Sequence, residues 1–133
     1  MKNKITIAYA PGVCNINPAE IAYRRKAAIV GYVVAAVVFV LCAVLSVNVA
    51  LRGVLTFLPL FVGAIGTLQV RNKFCVNYGA SGKQNATDGS AAAMPVENAD
   101  HRAADKRKAR SMNLQAAGVS LLIVLLSLLL PRF

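Results

Sequence analysis

The sequence predicts an all-α membrane protein with three transmembrane helices, and three observations carry that prediction. First, hydrophobic residues make up 57 % of the 133 positions and charged residues only 15 %, more apolar surface than so short a soluble chain can bury. Second, Ala27–Leu51, Gly53–Val70 and Ser111–Pro131 are uncharged runs of 25, 18 and 21 residues, matching the roughly 20 apolar residues that a spanning helix needs. Third, the charge is lopsided. Thirteen of the fifteen basic residues lie before the first run or between the second and third, whereas Arg52 and Arg132 alone fall on the other side. Basic segments are retained in the cytoplasm, so the sequence places the N-terminus and the 71–110 loop there, in a cytoplasmic (inner) membrane, and the C-terminus outside.

Residues 1–17 read as a cytoplasmic N-terminal arm. "KITIAYA" at 4–10 alternates weakly, as a short strand or an extended arm, and "APG" breaks it. The apolar run that follows is too long for the core of a secretory signal, so the first span is a retained anchor. In "NPAE", Asn17 suits a helix N-cap, Pro18 the first helical position, and Glu20 the third, a capping-box variant. Glu20 also precedes Arg24 by four residues, the favourable order for a helical ion pair. Arg24, Arg25 and Lys26 then reach headgroup level, with Tyr23 and Tyr32 as interface anchors.

Residues 18–78 form the predicted helical hairpin. The first helix is expected to run to about Asn48, with Gly31, Ala35, Cys42 and Ser46 at steps of 4, 7 and 4 on one face. Small residues let helices approach closely in lipid. "NVALRG" at 48–53 is a short turn, so the second helix returns antiparallel. It carries Thr56, Pro59, Gly63 and Gly66 or Thr67 on one face, and Pro59 is expected to kink it. The three spans contain no Asp, Glu, Lys, Arg or His, which removes the usual mark of a proton path.

Residues 79–96 read as a flexible linker, since Gly, Ser, Ala and Asn dominate from Gly79 to Met94. From Glu97 to Met112 a charged cytoplasmic helix is expected, "ENADHRAADKRKARSM", continuing into the third span as one unit, 97–133. "GVSLLIVLLSLLL" is Leu-rich and reads as a lipid-facing anchor. The basic cluster Lys106, Arg107, Lys108 and Arg110 attracts anionic headgroups, as do Arg24, Arg25 and Lys26, at about 1 kcal/mol per residue near the surface. It lacks the interleaved aromatic residues that nucleic-acid binding uses.

Chemistry-bearing constellations are sparse, and the chain reads as a non-enzyme without cofactor or metal. Cys14 and Cys75 fall on the cytoplasmic side, where a stable disulfide is not expected; they can meet only if the arm folds back. Cys42 lies mid-span as a small hydrophobe. No CxxC or CxxH spacing supports zinc. "GASGK" at 79–83 departs from the phosphate-loop pattern at Asn77 and Gln84. A single His, His101, gathers no triad around it.

"CNINPAEIAYRRKAAIVG", "LTFLPLFVGAIGTLQ" and "KFCVNYG" resemble the small two-helix bacterial membrane domain found behind rhodanese (sulfurtransferase) modules. The match covers about residues 13–80, on Asn15, Glu20, Arg24 or Arg25, Gly31, Pro59, Gly63 and Cys75. The resemblance implies a homodimerising membrane hairpin and not a catalyst. The catalytic module itself is absent, and the third helix and basic linker are extra.

Together these readings predict a structural, interaction or regulatory membrane component that self-associates or pairs with another membrane protein, its cytoplasmic face against anionic headgroups. The alternatives are a thiol- or sulfur-handling factor using Cys14 and Cys75, and a holin-like pore-forming oligomer.

Overall fold

The structure is a computed structural model, and it describes residues 8–86 and 93–130. The chain is all-α, with three helices long and apolar enough to cross a membrane, the first two packed as a hairpin: α1 (Pro18–Val44), α2 (Val49–Asn72) and α4 (Ala99–Ser127). Between α2 and α4 lie a short helix, α3 (Val76–Ser81), and a two-stranded antiparallel ladder, β1 (Lys83–Gln84) with β2 (Met94–Pro95).

Each long helix starts on an asparagine. The Asn17 side chain accepts from the Glu20 amide at 3.0 Å, with Pro18 in the first turn. Asn48 accepts from Ala50 at 2.9 Å, and Asn98 accepts from Asp100 and His101. Each such bond satisfies an amide that the helix itself leaves open.

Helix α1 ends at Val44, short of the expected Asn48, because residues 45–48 close it. The Ser46 amide donates to the Ala43 carbonyl (3.2 Å) and the Val47 amide to Cys42 (2.9 Å), with Ser46 at φ 54°. This is the paired-bond helix stop that normally carries glycine in the left-handed position. Ser46 is therefore an exposed turn residue and not part of the packing face assigned to it from the 4-7-4 spacing. Helix α2 stops in the same way: Lys73 has φ 52°, its amide donates to Val70, and the Phe74 amide donates to Gln69. Phe74 is thereby turned inward and is fully buried.

The α1–α2 seam is built from missing side chains. A Cβ placed on Gly31 would stand 2.6 Å from the Gly63 nitrogen and 2.9 Å from the Pro59 carbonyl oxygen. One on Gly66 would stand 2.8 Å from the Ala28 Cβ, and one on Gly63 would overlap the Tyr32 ring. Backbone therefore lies on backbone, and Tyr32 crosses the seam to share a 2.8 Å hydrogen bond with the Thr67 hydroxyl. Pro59 sits inside α2, which runs on through it. Cys42 is buried on α1, as are Gly31 and Ala35.

The third long helix is more than an anchor. Asp105, Ala109, Met112, Ala116, Ser120 and Val124 are its buried residues, at steps of 4, 3, 4, 4 and 4, which is one helical face. Toward one end Ala109 and Met112 pack with Phe74 and Val76, supported by Ile65 and Leu68. Toward the hairpin turn Val124 packs with Ala35 and Leu60, and reaches Gly53, where an added Cβ would stand 3.3 Å from it. The leucines of "GVSLLIVLLSLLL" face outward, except Leu128, which is half-buried beside Gly53.

Within the stretch read as a linker, residues 79–86 carry the end of α3 and β1, and β2 pairs with β1. Phe74 lies against Gly79 so closely that a Cβ there would be 2.7 Å from the ring, which anchors α3. Gly82 takes φ 72°, and Arg102 ties β2 down by donating to the Val96 and Glu97 carbonyls at 2.8 and 2.7 Å. Composition alone missed these tertiary contacts. Of the "KITIAYA" segment, residues 4–7 lie outside the described residues, as do 87–92 of the linker.

Candidate functional site

The polar residues gather at the end of the bundle opposite the hairpin turn, where the arm, α3, β1 and the start of α4 form a cap. The arm folds back over the ends of α1 and α2. Its backbone pairs on two sides: Asn15 donates to the Lys73 carbonyl at 3.1 Å, and its own carbonyl accepts from Asn85 at 2.8 Å. Ile16, fully buried, bridges Asn85 in parallel register.

Side chains lock this arrangement. Asn15 clasps Cys75 from both sides, accepting from the Cys75 amide at 2.6 Å and donating to its carbonyl at 3.1 Å. An amide side chain carries one acceptor and two donors, so it substitutes for a strand neighbour that the chain does not supply. Asn17 caps α1 with its oxygen and donates from its nitrogen to the Asn85 carbonyl at 2.9 Å. Both asparagines are buried, and a buried polar group is tolerable only when so partnered.

Glu20 links three elements. Its carboxylate accepts from the Tyr78 hydroxyl at 3.0 Å and the Asn85 side chain at 3.4 Å, and pairs with Arg24 at 3.4 Å. The i, i+4 pair expected from spacing is present. Its larger role is tertiary, since it joins α1 to α3 and to Asn85, just past β1. Arg24 is turned inward, its guanidinium 3.1 Å from the Cys75 sulfur, rather than out to headgroups with Arg25 and Lys26, which are exposed. Burial, and then the Glu20 carboxylate, push the Tyr78 hydroxyl above the usual tyrosine range.

Asp105 pins the arm to α4. It is fully buried and accepts at 2.7 Å from the Tyr9 hydroxyl on one oxygen and at 2.7 Å from the Gly12 amide on the other. Hydrogen bonds to an ionised acceptor are about twice as strong as neutral ones. Gly12 presents its amide from a turn with φ 67°, a conformation suited to glycine. Burial, followed by the bond to Asp105, raises the Tyr9 hydroxyl far above its ordinary value. His101 stands beside Tyr9, with ring centroids 6.2 Å apart.

Cys14, Cys42 and Cys75 are free thiols, all buried. Cys14 and Cys75 share the cap. The Cys14 sulfur lies 3.7 Å from the Ile16 carbonyl, and burial pushes the thiol above the usual cysteine range, against the opposing effects of the Ile16 backbone and the Lys73 charge. Among the described residues no three His, Cys, Asp or Glu side chains converge as a metal site. Lys106, Arg107 and Arg110 are exposed and Lys108 half-buried, along the flank of α4.

Sequence reasoning overlooked Asp105, Tyr9, Tyr78, Asn85 and Arg52 as placed residues. Asp105 was findable, since it heads the stripe of small and apolar residues that runs down α4. Arg52, read as a turn residue, belongs to the first turn of α2 and is buried. No known protein family, curated protein or solved structure matches this chain, so the likeness to the rhodanese-linked hairpin assigns no role to any residue here.

Proposed function

We propose that this chain is a structural, interaction or regulatory component of the cytoplasmic membrane, with the polar cap and basic rim on the cytoplasmic side and the hairpin turn outside. One observation carries the reading. The cap spends its buried polar groups, with Arg24 and Arg102, on holding the chain together, while its other basic residues have no acidic partner among the described residues. Glu20–Arg24 is the single ion pair among the described residues, and Arg25, Lys26, Lys106, Arg107 and Arg110 are exposed. A rigid basic surface at the membrane border suits anionic headgroups or an acidic protein segment.

Self-association completes the proposal, but through a different surface from the one that spacing suggested. Gly31, Ala35, Gly63 and Gly66 are consumed within the hairpin. Contact between copies then falls to the outward faces of α1 and α4, where Val33, Val37, Leu121 and Leu125 are exposed. Native mass spectrometry of the chain gently extracted from its own membrane tests this. Homodimers or larger homo-oligomers are expected, and a persistent monomer at all protein-to-detergent ratios would overturn self-association.

The Arg24–Cys75 contact favours one second reading, a thiol-handling role for Cys75 with Cys14 in the same cap. Replacing both with Ser abolishes function on that reading while leaving insertion intact. Unchanged function dismisses it.

A further inference from the structure

At the far end of the bundle from the cap, Arg52 occupies an unusual position. It is 6 % exposed, yet its guanidinium has no hydrogen-bond or ion-pair partner among the described residues, and its Nε is buried without one. A guanidinium carries five N–H donors and stays charged at any physiological pH. Leaving a donor such as the Nε–H of Arg52 buried and unmet is costly. Two features ease the charge without satisfying the donors. The guanidinium carbon lies 5.1 Å from the centroid of the Phe39 ring, a cation–π arrangement. The end of α1, which has no basic residue in its last turn, also presents its negative dipole nearby. The Cys42 and Ala43 carbonyls there are taken by the Val47 and Ser46 amides.

Arg52 lines a cavity of about 360 Å³ between the end of α1 and the start of α2, together with Cys42, Ser46, Asn48 and Val49. The start of a 24-residue helix opens onto the same space. Ala50 is capped by Asn48, whereas the Val49 amide has no partner among the described residues. A helix N-terminus and an unpaired guanidinium both attract oxyanions. The cavity also sits at a hairpin turn between two membrane-length helices, the depth at which phosphodiesters are the abundant anion, and one cation suits one singly charged phosphodiester.

We infer that the hairpin-turn cavity is a binding site for a phosphate group, with Arg52 as its principal ligand and the first turn of α2 as its second donor. The inference holds for either orientation in the membrane and does not depend on self-association. The phosphate comes from a lipid headgroup or from a free phosphate, and the two are separable by experiment.

The full chain is purified in phosphate-free maltoside detergent. It is titrated separately with short-chain phosphatidylglycerol, read as adducts by native mass spectrometry, and with inorganic phosphate, read as ³¹P line broadening. Binding of the lipid alone identifies a headgroup site. Binding of inorganic phosphate identifies a site for the free anion. In either case Arg52→Gln is expected to lower affinity at least about tenfold, while Lys83→Gln, an exposed basic residue of the cap, leaves it unchanged. If Arg52→Gln loses helicity, Arg52→Lys replaces it: it keeps the charge and lacks the planar fork, so weakened binding supports the site and unchanged binding overturns it. The inference also falls if neither probe binds the wild-type chain, or if a folded Arg52→Gln variant binds as tightly as wild type.

Discussion

At the residue scale, Asp105 shows how a charge can be legible by position and hidden in meaning. A carboxylate in a run of Lys and Arg reads as part of a solvated face, yet it is the fully buried anchor of the arm. Asp105→Asn removes the charge that strengthens both bonds, and is expected to weaken closure of the arm by about 2 kcal/mol. Faster amide exchange at Gly12 checks this. The tyrosines add a pH dependence. Tyr9 and Tyr78 hold their protons more tightly in the folded cap than in an unfolded chain. Their contribution to stability is thus complete below about pH 10, the ordinary tyrosine value, and is lost as pH rises through the folded-state value. Absorbance at 295 nm should show Tyr9 and Tyr78 ionising late, with that late step reduced in Tyr9→Phe. In Asp105→Asn the shift of Tyr9 should shrink only in part, because burial is its larger cause. Ionisation of Tyr9 at the ordinary value in the wild-type chain would contradict the Asp105 bond.

At the element scale, the seam between α1 and α2 was readable as small residues at helical spacing. What spacing does not reveal is the partner. The same pattern serves a second copy or the chain's own next helix, and a turn of only a few residues decides in favour of the latter. Gly31→Ala would drive a methyl against the backbone of α2, and overpacking of this kind costs about 1–3 kcal/mol. Gly118→Ala is the comparison, because a Cβ there meets nothing within 4 Å. Denaturant titration followed by helicity should show Gly31→Ala destabilised and Gly118→Ala unchanged or slightly stabilised, since Ala favours helix over Gly. Equal stability of the two variants would count against backbone contact at Gly31. The stripe on α4 is subtler than the seam: its Ala, Ser and Met are diluted by leucines on every other face, so the span looks uniform until Asp105 fixes the register.

At the scale of the whole molecule, the three helices and their order follow from apolar runs of spanning length and from the asparagine and proline that start them. The cap does not. Asn15, Asn85 and Cys75 lie 60 and 70 positions apart along the chain, and no local pattern announces that one asparagine side chain will stand in for a missing strand. Glycine and serine between 79 and 86 signal freedom only while the contacts of Phe74 and Arg102 are out of view. The molecule has two ends with different duties: a closed, hydrogen-bonded cap carrying a basic rim, and a hairpin turn holding an unpaired arginine. On the proposed function, the closed cap lies on the cytoplasmic side.

The most direct test labels the thiols with a membrane-impermeant charged maleimide in sealed inverted vesicles and sealed right-side-out vesicles, comparing wild type with Asn15→Ala. The account predicts slow labelling of wild-type Cys14 and Cys75. It predicts a marked acceleration of both in Asn15→Ala, in inverted vesicles only. Rapid labelling of Cys75 in the wild-type chain, or acceleration seen only from the outer face, would contradict it.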